Sequence, residues 1–564
     1  MKRALLAVVA SLALAACLSA FAPGLPALVD PAKVDAVFSR WTSTTPGCAV
    51  GVSEGGKVIL EKAYGMADLE HDVPNGADTI FEAGSVSKQF TAAAVLLLAR
   101  EGKLSLDDQA RKYLPELPDY GKPLTIRHLL THTSGLRDWG EVEGIAGWPR
   151  TTRVYTHAHV LDIVSRQTSL NFEPGTNWSY CNTGYNLAAI IVSRVSGMPF
   201  AEFCRARIFQ PLGMTRTSWR DDFRRVVKGR AIAYSEAKDG FLQDMPFENV
   251  HGNGGLLTTV GDLLKWNENA VNQKVGDAGF LQEETQPGHF NNGKAHDYAL
   301  GLYIRDFMGV QEVGHSGSTA GYRAYLARYP KQRVSVAVLC NVASGAAERY
   351  AHLVAAQYLQ DALENTRTMM LKSNGGVVDV GHDDIRDVPA LQPLAGLYRN
   401  AVTGVPLAFT VGKVFGSLEI EGVSAPGNAL YYTPGGPGMI FTSFDATRMY
   451  NFEGGSKLRV VNGNGTTDNY ERVEPAKPTA AELAELVGAY ASDEAEAVLH
   501  VAANGEGLVV KRRPDTILAL RPVYKDAFSA QGLGLVRFRR DASGKVTALS
   551  VTLDRVWDMR FARQ

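Results

Sequence analysis

The sequence lacks an excess of charge of either sign, because 58 Lys and Arg residues stand against 59 Asp and Glu residues and the formal net charge is −1 at pH 7. A chain without a basic excess has no broad electrostatic field to hold a phosphate backbone or an anionic lipid surface. No nucleic-acid partner is therefore predicted. The 56 Gly and 25 Pro residues follow no fixed period, which excludes collagen-like and low-complexity folds.

Cysteine is also scarce, with five residues in a chain of 564. This frequency is far below that of a fold held together by disulfides. Cys48, Cys181, Cys204 and Cys340 could pair in an oxidising compartment, but we expect them to be buried free thiols. The length, together with a hydrophobic content of 45%, predicts two or three domains with packed cores.

Long apolar runs are missing as well, since none approaches the roughly 18 residues of a membrane-spanning helix. The short run Ala4–Ala16 follows Lys2-Arg3 and predicts a secretory signal peptide over residues 1–20. The four residues that end in Cys17 resemble a bacterial lipobox. Cys17 is then either lipidated, which is the only predicted membrane attachment, or discarded by cleavage after a small residue such as Ala20. Both outcomes predict an exported protein that is periplasmic, anchored to the outer membrane or secreted.

The rest of the chain divides by its pattern of hydrophobic residues. Helical and strand patterns are mixed over residues 27–371, which predicts a first, catalytic-type domain that ends in a long helix, Ala346–Leu371. Residues 372–390 have the composition of a linker. Beyond them, residues 391–475 and 479–564 read as short alternating strands with turn signals, which predicts two all-β domains.

A short repeat supports this division of the tail. Leu394–Tyr398 recurs as Leu486–Tyr490, with a glycine and a tyrosine at matching places. About 90 residues of short strands suffice to close a small up-and-down antiparallel barrel, so each copy predicts one β-barrel. Chance similarity is the alternative for the repeat itself. We expect the tail to shape access to a site in the first domain rather than to supply its chemistry.

The first domain has a hairpin pattern at each end. Cys48–Ser53 pairs by pattern with Lys57–Tyr64, and Tyr322–Tyr329 pairs with Val334–Cys340. The segments between them are mostly helices and long loops. A sheet assembled from both ends of a segment, with a helical region inserted, is an α+β arrangement.

The first chemical motif is Ser85-Val86-Ser87-Lys88, which precedes an apolar helix pattern over Thr91–Arg100. At this spacing Ser85 opens the helix, and the Lys88 amine can reach its hydroxyl. The unpaired N–H groups of a helix start can hold an oxyanion. The alternative is a serine cap with a surface lysine. Ser235–Lys238 has the same spacing, but its turn signals predict a strand and a turn.

The second motif is Tyr180-Cys181-Asn182, ahead of an apolar helix pattern over Asn186–Val195. In an extended loop, Tyr180 and Asn182 point to the same side. A tyrosine beside a lysine ammonium loses its proton more easily and can act as a base. The alternative is a buried tyrosine whose hydroxyl is satisfied by the asparagine.

The third motif, His315-Ser316-Gly317-Ser318, is predicted to lie on a strand edge. Glycine there admits another backbone closely, and the N–H of Ser318 can face a substrate carbonyl. The alternative is a plain hairpin between two core strands. A rival nucleophile, Ser53 in Gly51–Gly55, matches the Gly-x-Ser-x-Gly elbow, but a strand rather than a helix follows, which predicts a hairpin.

Together and in this order, the three motifs resemble those of the serine penicillin-recognising superfamily, in the branch of class C β-lactamases, D-alanyl-D-alanine carboxypeptidases, D-aminopeptidases and related esterases. His128–Leu136 and Gly254–Thr259 are also similar to stretches of that branch, and the likeness covers about residues 30 to 370. The resemblance implies an α+β, β-lactamase/transpeptidase-like domain, an antiparallel sheet flanked by helices with a helical insert. The two barrels that follow would be lipocalin-like.

The resemblance also implies roles for single residues. Ser85 would be the acylated nucleophile and Lys88 its activating neighbour, with Tyr180 as general base or proton shuttle. Asn182 would hold Lys88 and the substrate amide, and the N–H groups of Ser85 and Ser318 would form the oxyanion hole. His315 and Gly317 complete the third motif, whereas His132 and Thr133 are treated as structural. The acyl-enzyme route implies no metal and no organic cofactor.

The third motif also bears on the substrate. Efficient penicillin hydrolases of the superfamily carry lysine where this chain has His315, whereas D-aminopeptidases carry histidine and are followed by two eight-stranded barrels. The resemblance therefore implies a D-stereospecific peptidase, aminopeptidase or amidase acting on short peptides. The alternatives are a carboxylesterase, a D-Ala-D-Ala carboxypeptidase or a weak β-lactamase, and, outside catalysis, a cell-wall peptide-binding protein. The sequence predicts no oligomeric state.

His315 has two possible roles, because an ordinary histidine pKa of about 6.5 makes its charge switchable near neutral pH. A neutral ring could orient Tyr180 by hydrogen bonding, so that activity rises with pH. A cationic ring could bind a substrate carboxylate, so that affinity falls with pH. We expect the first role.

Overall fold

A six-stranded antiparallel sheet forms the centre of the first part of the chain, and its strands lie in the order Tyr303–Phe307, Val310–Thr319, Tyr322–Tyr329, Val334–Cys340, Cys48–Glu54 and Lys57–Tyr64. Its strands come from both ends of that part, as the hairpin patterns predict. The strands in chain order are β1 (Cys48–Glu54), β2 (Lys57–Tyr64), β3 (Met66–Asp68), β4 (Val73–Pro74), β5 (Phe81–Glu82), β6 (Ser218–Trp219), β7 (Tyr234–Ala237), β8 (Gly240–Gln243), β9 (Leu256–Thr258), β10 (Tyr303–Phe307), β11 (Val310–Thr319), β12 (Tyr322–Tyr329) and β13 (Val334–Cys340).

This computed structural model describes residues 30–360, 362–363, 391–412, 417–422, 429–433, 439–443 and 448–564. The signal peptide expected over residues 1–20, Cys17 and the linker expected over 372–390 lie outside the described residues. Within the described ranges no single helix is long and apolar enough to cross a membrane. Asn182–Ser196 and Phe200–Leu212 meet that test only as a pair bent by 79°.

Helices cover both faces of the sheet. They are α1 (Pro31–Val37), α2 (Ser87–Arg100), α3 (Ile126–Leu130), α4 (Trp139–Ala146), α5 (His157–Ser165), α6 (Asn182–Ser196), α7 (Phe200–Cys204), α8 (Gln210–Leu212), α9 (Val260–Asn272), α10 (Ala278–Glu284) and α11 (Ala347–Tyr358), with 3₁₀ turns at Gly84–Val86 and Ala110–Lys112 and a π turn at Arg205–Phe209. The helix predicted over Ala346–Leu371 ends at Tyr358, and most of the remainder of its predicted range lies outside the described residues.

The buried strands separate two apolar layers because successive side chains point to opposite faces. On β1, Val50 and Val52 pack in the layer that contains α1 and α11. Ala49, between them in sequence, packs in the larger layer that contains α2, α6 and α9. α2 is buried from Ser87 to Leu98, so the helix that carries the first motif lies at the centre of the larger core.

Two of the cysteines form a disulfide, contrary to the expectation of free thiols. Cys48 of β1 and Cys340 of β13 are direct partners across neighbouring antiparallel strands, and their sulfur atoms are bonded. The sheet brings together two residues that lie 292 positions apart in the sequence. Sequence spacing carries no information about such a contact. Cys181 and Cys204 are buried free thiols, as expected.

The tail forms two closed antiparallel barrels of eight strands each. The first contains β14 (Gly396–Asn400), β15 (Pro406–Val411), β16 (Ser417–Ile420), β17 (Ala429–Thr433), β18 (Met439–Ser443), β19 (Arg448–Glu453), β20 (Lys457–Asn462) and β21 (Thr467–Val473). The second follows α12 (Ala480–Glu485) and contains β22 (Gly488–Ser492), β23 (Ala497–Asn504), β24 (Gly507–Arg512), β25 (Thr516–Tyr524), β26 (Ala527–Ala530), β27 (Gly534–Arg540), β28 (Val546–Thr552) and β29 (Met559–Arg563).

The short repeat marks the same structural device at the start of each barrel. The hydroxyl of Tyr398 donates to the carbonyl of Leu394, and the hydroxyl of Tyr490 donates to the carbonyl of Leu486. An arginine from the last strand of each barrel, Arg472 or Arg563, donates to the backbone just before the repeat's glycine. The repeat therefore has the same structural role at the start of both barrels.

The second barrel packs directly on the first domain. Its apolar core is continuous with the larger core of the sheet domain. Arg137 donates to Glu494 at 2.8 Å across the contact, and the rings of Phe172 and Trp557 lie 5.3 Å apart. Trp557 belongs to residues 553–558, the loop that joins β28 to β29, which we call the β28–β29 loop. This loop reaches the pocket described next.

Candidate active site

Ser85 lies in the 3₁₀ turn Gly84–Val86, immediately before α2 begins at Ser87. The sequence predicts that Ser85 is the first residue of the helix. In the structure a 3₁₀ turn that contains Ser85 precedes the helix. This turn leads into a helix start where Lys88 occupies the second position. The side chains of Ser85 and Lys88 consequently face each other, with 3.1 Å between Oγ and Nζ.

The amine of Lys88 has three partners and no solvent-exposed surface. It donates to Oδ1 of Asn182 at 2.9 Å and to the carbonyl of Asn253 at 2.7 Å. The third partner is the hydroxyl of Ser85. A neutral amine has two N–H donors and one lone pair, so two acceptor oxygens leave the lone pair for the Ser85 proton.

The surroundings of Lys88 favour this neutral form. Burial lowers the pKa of Lys88 well below its ordinary value, because a charged ammonium loses its hydration in the core. The positive charge of Arg555 lowers this pKa further, whereas Asp138 opposes the shift. An amine with a lowered pKa can accept a proton from a serine near neutral pH.

Tyr180 lies beside the same amine, with Lys88 Nζ 4.8 Å and Arg555 Cζ 4.9 Å from the centre of its ring. Burial raises the pKa of Tyr180, and a hydrogen bond with Ser85 lowers it by less. The expectation that a neighbouring ammonium makes this tyrosine lose its proton more easily is therefore wrong. The geometry suits Tyr180 to donate and relay a proton, since its hydroxyl stays protonated.

Asn182 is held from two sides, but not in the extended loop expected from the sequence. It is the first residue of α6, with Cys181 as the cap. Its backbone N–H donates to Asp138 Oδ2 at 2.7 Å, while its side chain accepts from Lys88. Asn182 thus ties the second motif to the first.

The third motif lies against the turn that carries the nucleophile. On its β10 side β11 is paired only as far as Gly314, so His315 to Thr319 form a free local edge, as predicted. A Cβ atom added to Gly317 would lie 2.0 Å from the carbonyl oxygen of Ala83, and one added to Gly84 would lie 2.6 Å from the nitrogen of Ser318. Glycine at both positions allows this approach, which brings the backbone of Ser318 next to Ser85.

His315 is buried, and both of its ring nitrogens have partners. Nδ1 lies 2.6 Å from the carbonyl oxygen of Ser316, which can only accept, so Nδ1 carries the proton. Nε2 then accepts from the hydroxyl of Tyr298 at 2.9 Å. Burial, together with Lys88, lowers the pKa of His315 to about 3. Two expectations are therefore wrong. The charge of His315 does not change near neutral pH, and its ring nitrogens bond to Ser316 and Tyr298 rather than to Tyr180.

A pocket of about 480 Å³ opens over these residues and contains a strongly charged wall. Arg220 and Glu82 form a bidentate buried pair at 2.8 and 3.0 Å. Arg150 pairs with Glu248, with 2.9 Å between Nε and Oε2. Arg555 lines the same pocket. The pocket is polar in a way that suits a short hydrophilic substrate better than a large apolar one.

Two residues of the site were not predicted. Asn253, whose carbonyl accepts from Lys88, lies just before Gly254–Thr259. The similarity of that stretch to the family could have pointed to Asn253. Arg555 comes from the β28–β29 loop of the second barrel, and no local pattern marks it. His132, which was treated as structural, packs its ring 4.3 Å from that of Tyr180 and accepts from the N–H of Cys181.

Candidate metal ligands lie elsewhere. Among the described residues, Asp68, Glu70 and His71 form a cluster of ligand-type side chains, and it lies near the surface rather than in the pocket. Nδ1 of His71 is 2.8 Å from Oδ2 of Asp68, so these two residues already satisfy each other.

Comparison with known proteins agrees with this geometry. The Beta-lactamase family model matches residues 34–360. The chain is 29% identical over 327 residues to penicillin-binding protein 4* of Bacillus subtilis, covering 54% of this chain and 70% of that one. It is 30% identical over 304 residues to a D-aminopeptidase of Brucella anthropi, covering 54% of this chain and 57% of that one. The chain thus spans little more than half the length of that curated relative.

Among solved structures, a penicillin-binding protein homologue from Pyrococcus abyssi, described as octameric, superposes with a TM-score of 0.53 at 23% identity. The match covers 78% of this chain and all of that one. This similarity extends to the fold alone.

Proposed function

Because the chain belongs to the beta-lactamase family of serine hydrolases, we propose that it hydrolyses short D-configured peptides or amino-acid amides through an acyl-enzyme on Ser85. The observation that carries this proposal is the contact of the fully buried Lys88 amine with the Ser85 hydroxyl at 3.1 Å, in surroundings that lower the pKa of Lys88. A serine hydroxyl is a weak nucleophile until a base takes its proton.

In the first step, the lone pair of Lys88 accepts the Ser85 proton while Oγ forms a bond to the substrate carbonyl carbon. The carbonyl oxygen becomes an oxyanion beside the backbone of Ser85 and Ser318. Two N–H groups aimed at this atom stabilise the charge, which is the largest contribution to catalysis in many acyl-transfer sites. The close approach of Gly84 and Gly317 keeps the two backbones together.

In the second step the C–N bond breaks, and the leaving nitrogen must receive a proton because an amide anion is a very poor leaving group. Tyr180 stays protonated because burial raises its pKa, and it lies beside Lys88 in the pocket that Ser85 also lines. It gives its proton to the leaving nitrogen and regains one from Lys88. A water molecule then attacks the acyl-enzyme while the same groups act in reverse, which regenerates Ser85.

The preference for D-configured amides is supported by the curated relatives. Seven D-aminopeptidases match at 27% to 30% identity. The family similarity covers only the first part of this chain, so stereochemistry and the choice of chain end belong to the proposal. An exported location, with or without a lipidated Cys17, is part of the proposal too.

The test is a substrate panel with purified protein. It pairs D- with L-amino-acid amides, and adds a D-Ala-D-Ala peptide, a p-nitrophenyl ester and a chromogenic cephalosporin, each with wild type and Ser85→Ala. We expect D-amides or D-peptides to have the highest kcat/KM and Ser85→Ala to abolish turnover.

A preference for the ester over every amide would assign a carboxylesterase instead, and a preference for the cephalosporin would assign a β-lactamase. Binding of D-peptides with no Ser85-dependent turnover of any substrate would favour the cell-wall peptide-binding alternative.

A further inference from the structure

Arg555 is the one residue of the second barrel that lines the pocket around Ser85, within the described parts of the chain. Its backbone is fixed from three directions. The N–H of Arg555 donates to Oε2 of Glu141 at 2.8 Å, and its carbonyl accepts from Asn171 at 3.0 Å and from the N–H of Asp138 at 3.3 Å. The β28–β29 loop is thus anchored to the first domain on both sides of this residue.

The guanidinium of Arg555 is not used by this anchoring. Over the described residues it donates no hydrogen bond, and its buried Nε has no partner. The nearest carboxylate oxygens are 3.9 Å away in Glu141 and 3.8 Å away in Asp554, which is 89% exposed. An arginine has five N–H donors, so this side chain keeps its donors free for a bound group.

The ion pairs of Arg555, at 3.8 and 3.9 Å, are longer than those of the other two arginines that line the pocket. Arg220 is paired with Glu82, and Arg150 is paired with Glu248. Burial shifts the pKa values of Lys88, His315 and Tyr180 toward their neutral forms, whereas the negative charge of Asp138 acts on both Lys88 and Arg555. Glu141 lies behind Arg555, and burial raises its pKa to about 7, which weakens its competition for the guanidinium.

The position of Arg555 indicates which part of a substrate it would meet. Its Cζ lies 4.9 Å from the centre of the Tyr180 ring. In the proposed reaction Tyr180 protonates the leaving nitrogen, so the group beside Tyr180 belongs to the leaving amino acid rather than to the acyl part. A leaving amino acid carries a carboxylate two bonds from its nitrogen.

We propose that Arg555, supplied by the second barrel, binds the free carboxylate of the substrate's C-terminal residue and thereby selects peptides whose last residue is the leaving group. A guanidinium can hold a carboxylate with two parallel N–H···O bonds, and such pairs are among the strongest polar contacts in proteins. The inference rests on the proposed function, because it assigns the leaving-group side from the role of Tyr180.

The experiment compares two substrates that differ only at the C-terminus, N-acetyl-D-Ala-D-Ala and its C-terminal amide, with product release followed by mass spectrometry. A p-nitrophenyl ester without charge reports on the nucleophile. The variants are Arg555→Gln and Arg555→Lys, with Arg560→Gln as the matched control. Arg560 is an exposed arginine of β29, so its replacement by glutamine removes the same charge outside the pocket.

We expect wild type to prefer the free carboxylate, and Arg555→Gln to raise the KM for that substrate by about tenfold or more, the size expected for a lost charged contact. The KM values of Arg555→Gln for the amide and for the ester should change by less than about twofold. This is well below the tenfold change expected for the loss of one charged contact. Arg555→Lys should restore part of the loss, since it keeps the charge without the planar fork. Arg560→Gln should behave as wild type.

An equal loss on all three substrates in Arg555→Gln, with the acidic limb of the pH profile moved upward, would overturn the inference. Arg555 would then be a positioning residue that acts through the pKa of Lys88. A wild-type enzyme that favours the amide over the free carboxylate would overturn it too.

The inference can fail separately from the proposed function. Ser85→Ala protein, which cannot turn over, should bind N-acetyl-D-Ala-D-Ala in calorimetry, and Arg555→Gln in that background should weaken this binding by about tenfold. Intact ester hydrolysis with no effect of Arg555 on binding would contradict the carboxylate contact alone. Failure of Ser85 to be acylated by any substrate would contradict the proposed function, whatever Arg555 binds.

Discussion

The amine of Lys88 lies 3.1 Å from the hydroxyl of Ser85 and is sealed from solvent. Two oxygens, one from Asn182 and one from Asn253, already accept the N–H groups that a neutral lysine has to offer. Burial lowers the pKa of Lys88, which favours the neutral amine, and in that form its lone pair is left for the serine. A buried amine with a lowered pKa can act as a base at a lower pH than an exposed lysine.

The pH profile should reveal this lowered lysine pKa. Only the neutral amine accepts the Ser85 proton, so kcat/KM for an uncharged ester should rise with pH through the pKa of Lys88 and then level off. Because burial lowers that pKa, the plateau should begin far below the ordinary lysine value of about 10.4. A rate that continues to rise up to pH 10 would contradict a neutral Lys88.

Replacement of Tyr180 by phenylalanine should separate amide from ester hydrolysis. The phenol supplies the proton that an amine leaving group needs, whereas a nitrophenolate leaves without one. We expect Tyr180→Phe to lower kcat for amides by about 10²–10⁴-fold, and for the nitrophenyl ester by much less. Tyr303→Phe, which changes another tyrosine of the pocket lining, is the control. Equal losses on both substrates would argue against the proton-shuttle role.

The close approach of β11 to the nucleophile turn should not tolerate a methyl group. A Cβ at position 317 would lie 2.0 Å from the carbonyl oxygen of Ala83. Gly317→Ala should therefore push Ser318 away from Ser85 and lower kcat about 10²-fold, the loss expected for one displaced oxyanion donor. Gly144→Ala in α4 is the control, because nothing lies within 4 Å of its added Cβ. Unchanged kcat in Gly317→Ala, with circular dichroism like that of wild type, would contradict the oxyanion role of this strand.

His315 should contribute to acid sensitivity rather than to a catalytic switch. Its pKa is about 3 in the folded protein and about 6.5 when unfolded. The unfolded chain therefore binds more protons between these values, and stability is lost as pH falls from about 6.5 to about 3. The difference in urea midpoint between wild type and His315→Gln should shrink from pH 7.5 to pH 4.5. A constant difference would contradict a neutral, buried His315.

The meeting of Ser85, Lys88 and Tyr180 in one pocket could be predicted because its signals are local. Ser85 and Lys88 lie on one turn, Tyr180 and Asn182 on one helix start, and the glycine of the third motif marks a backbone contact. Turn residues predict that Ser53 and Ser235 lie in hairpins. The structure confirms both predictions, in the hairpins β1–β2 and β7–β8.

Long-range contacts could not be predicted in the same way. The bond between Cys48 and Cys340 and the arrival of Arg555 beside Tyr180 depend on how whole domains pack, which neither period nor spacing encodes. The pKa directions failed for a related reason. The sequence predicts a tyrosine that a neighbouring lysine makes more acidic and a histidine with an ordinary pKa, whereas burial dominates both pKa shifts. Desolvation is a property of the assembled core and becomes visible only in three dimensions.

The central claim, that Ser85 is the nucleophile activated by Lys88, is tested most directly by covalent labelling. A fluorophosphonate probe should modify wild type once, and peptide mapping by mass spectrometry should place the adduct on Ser85. Lys88→Ala should react far more slowly although it stays folded, and Ser85→Ala should not react. An adduct on Ser53 or Ser235, or undiminished labelling of Ser85→Ala, would contradict the account.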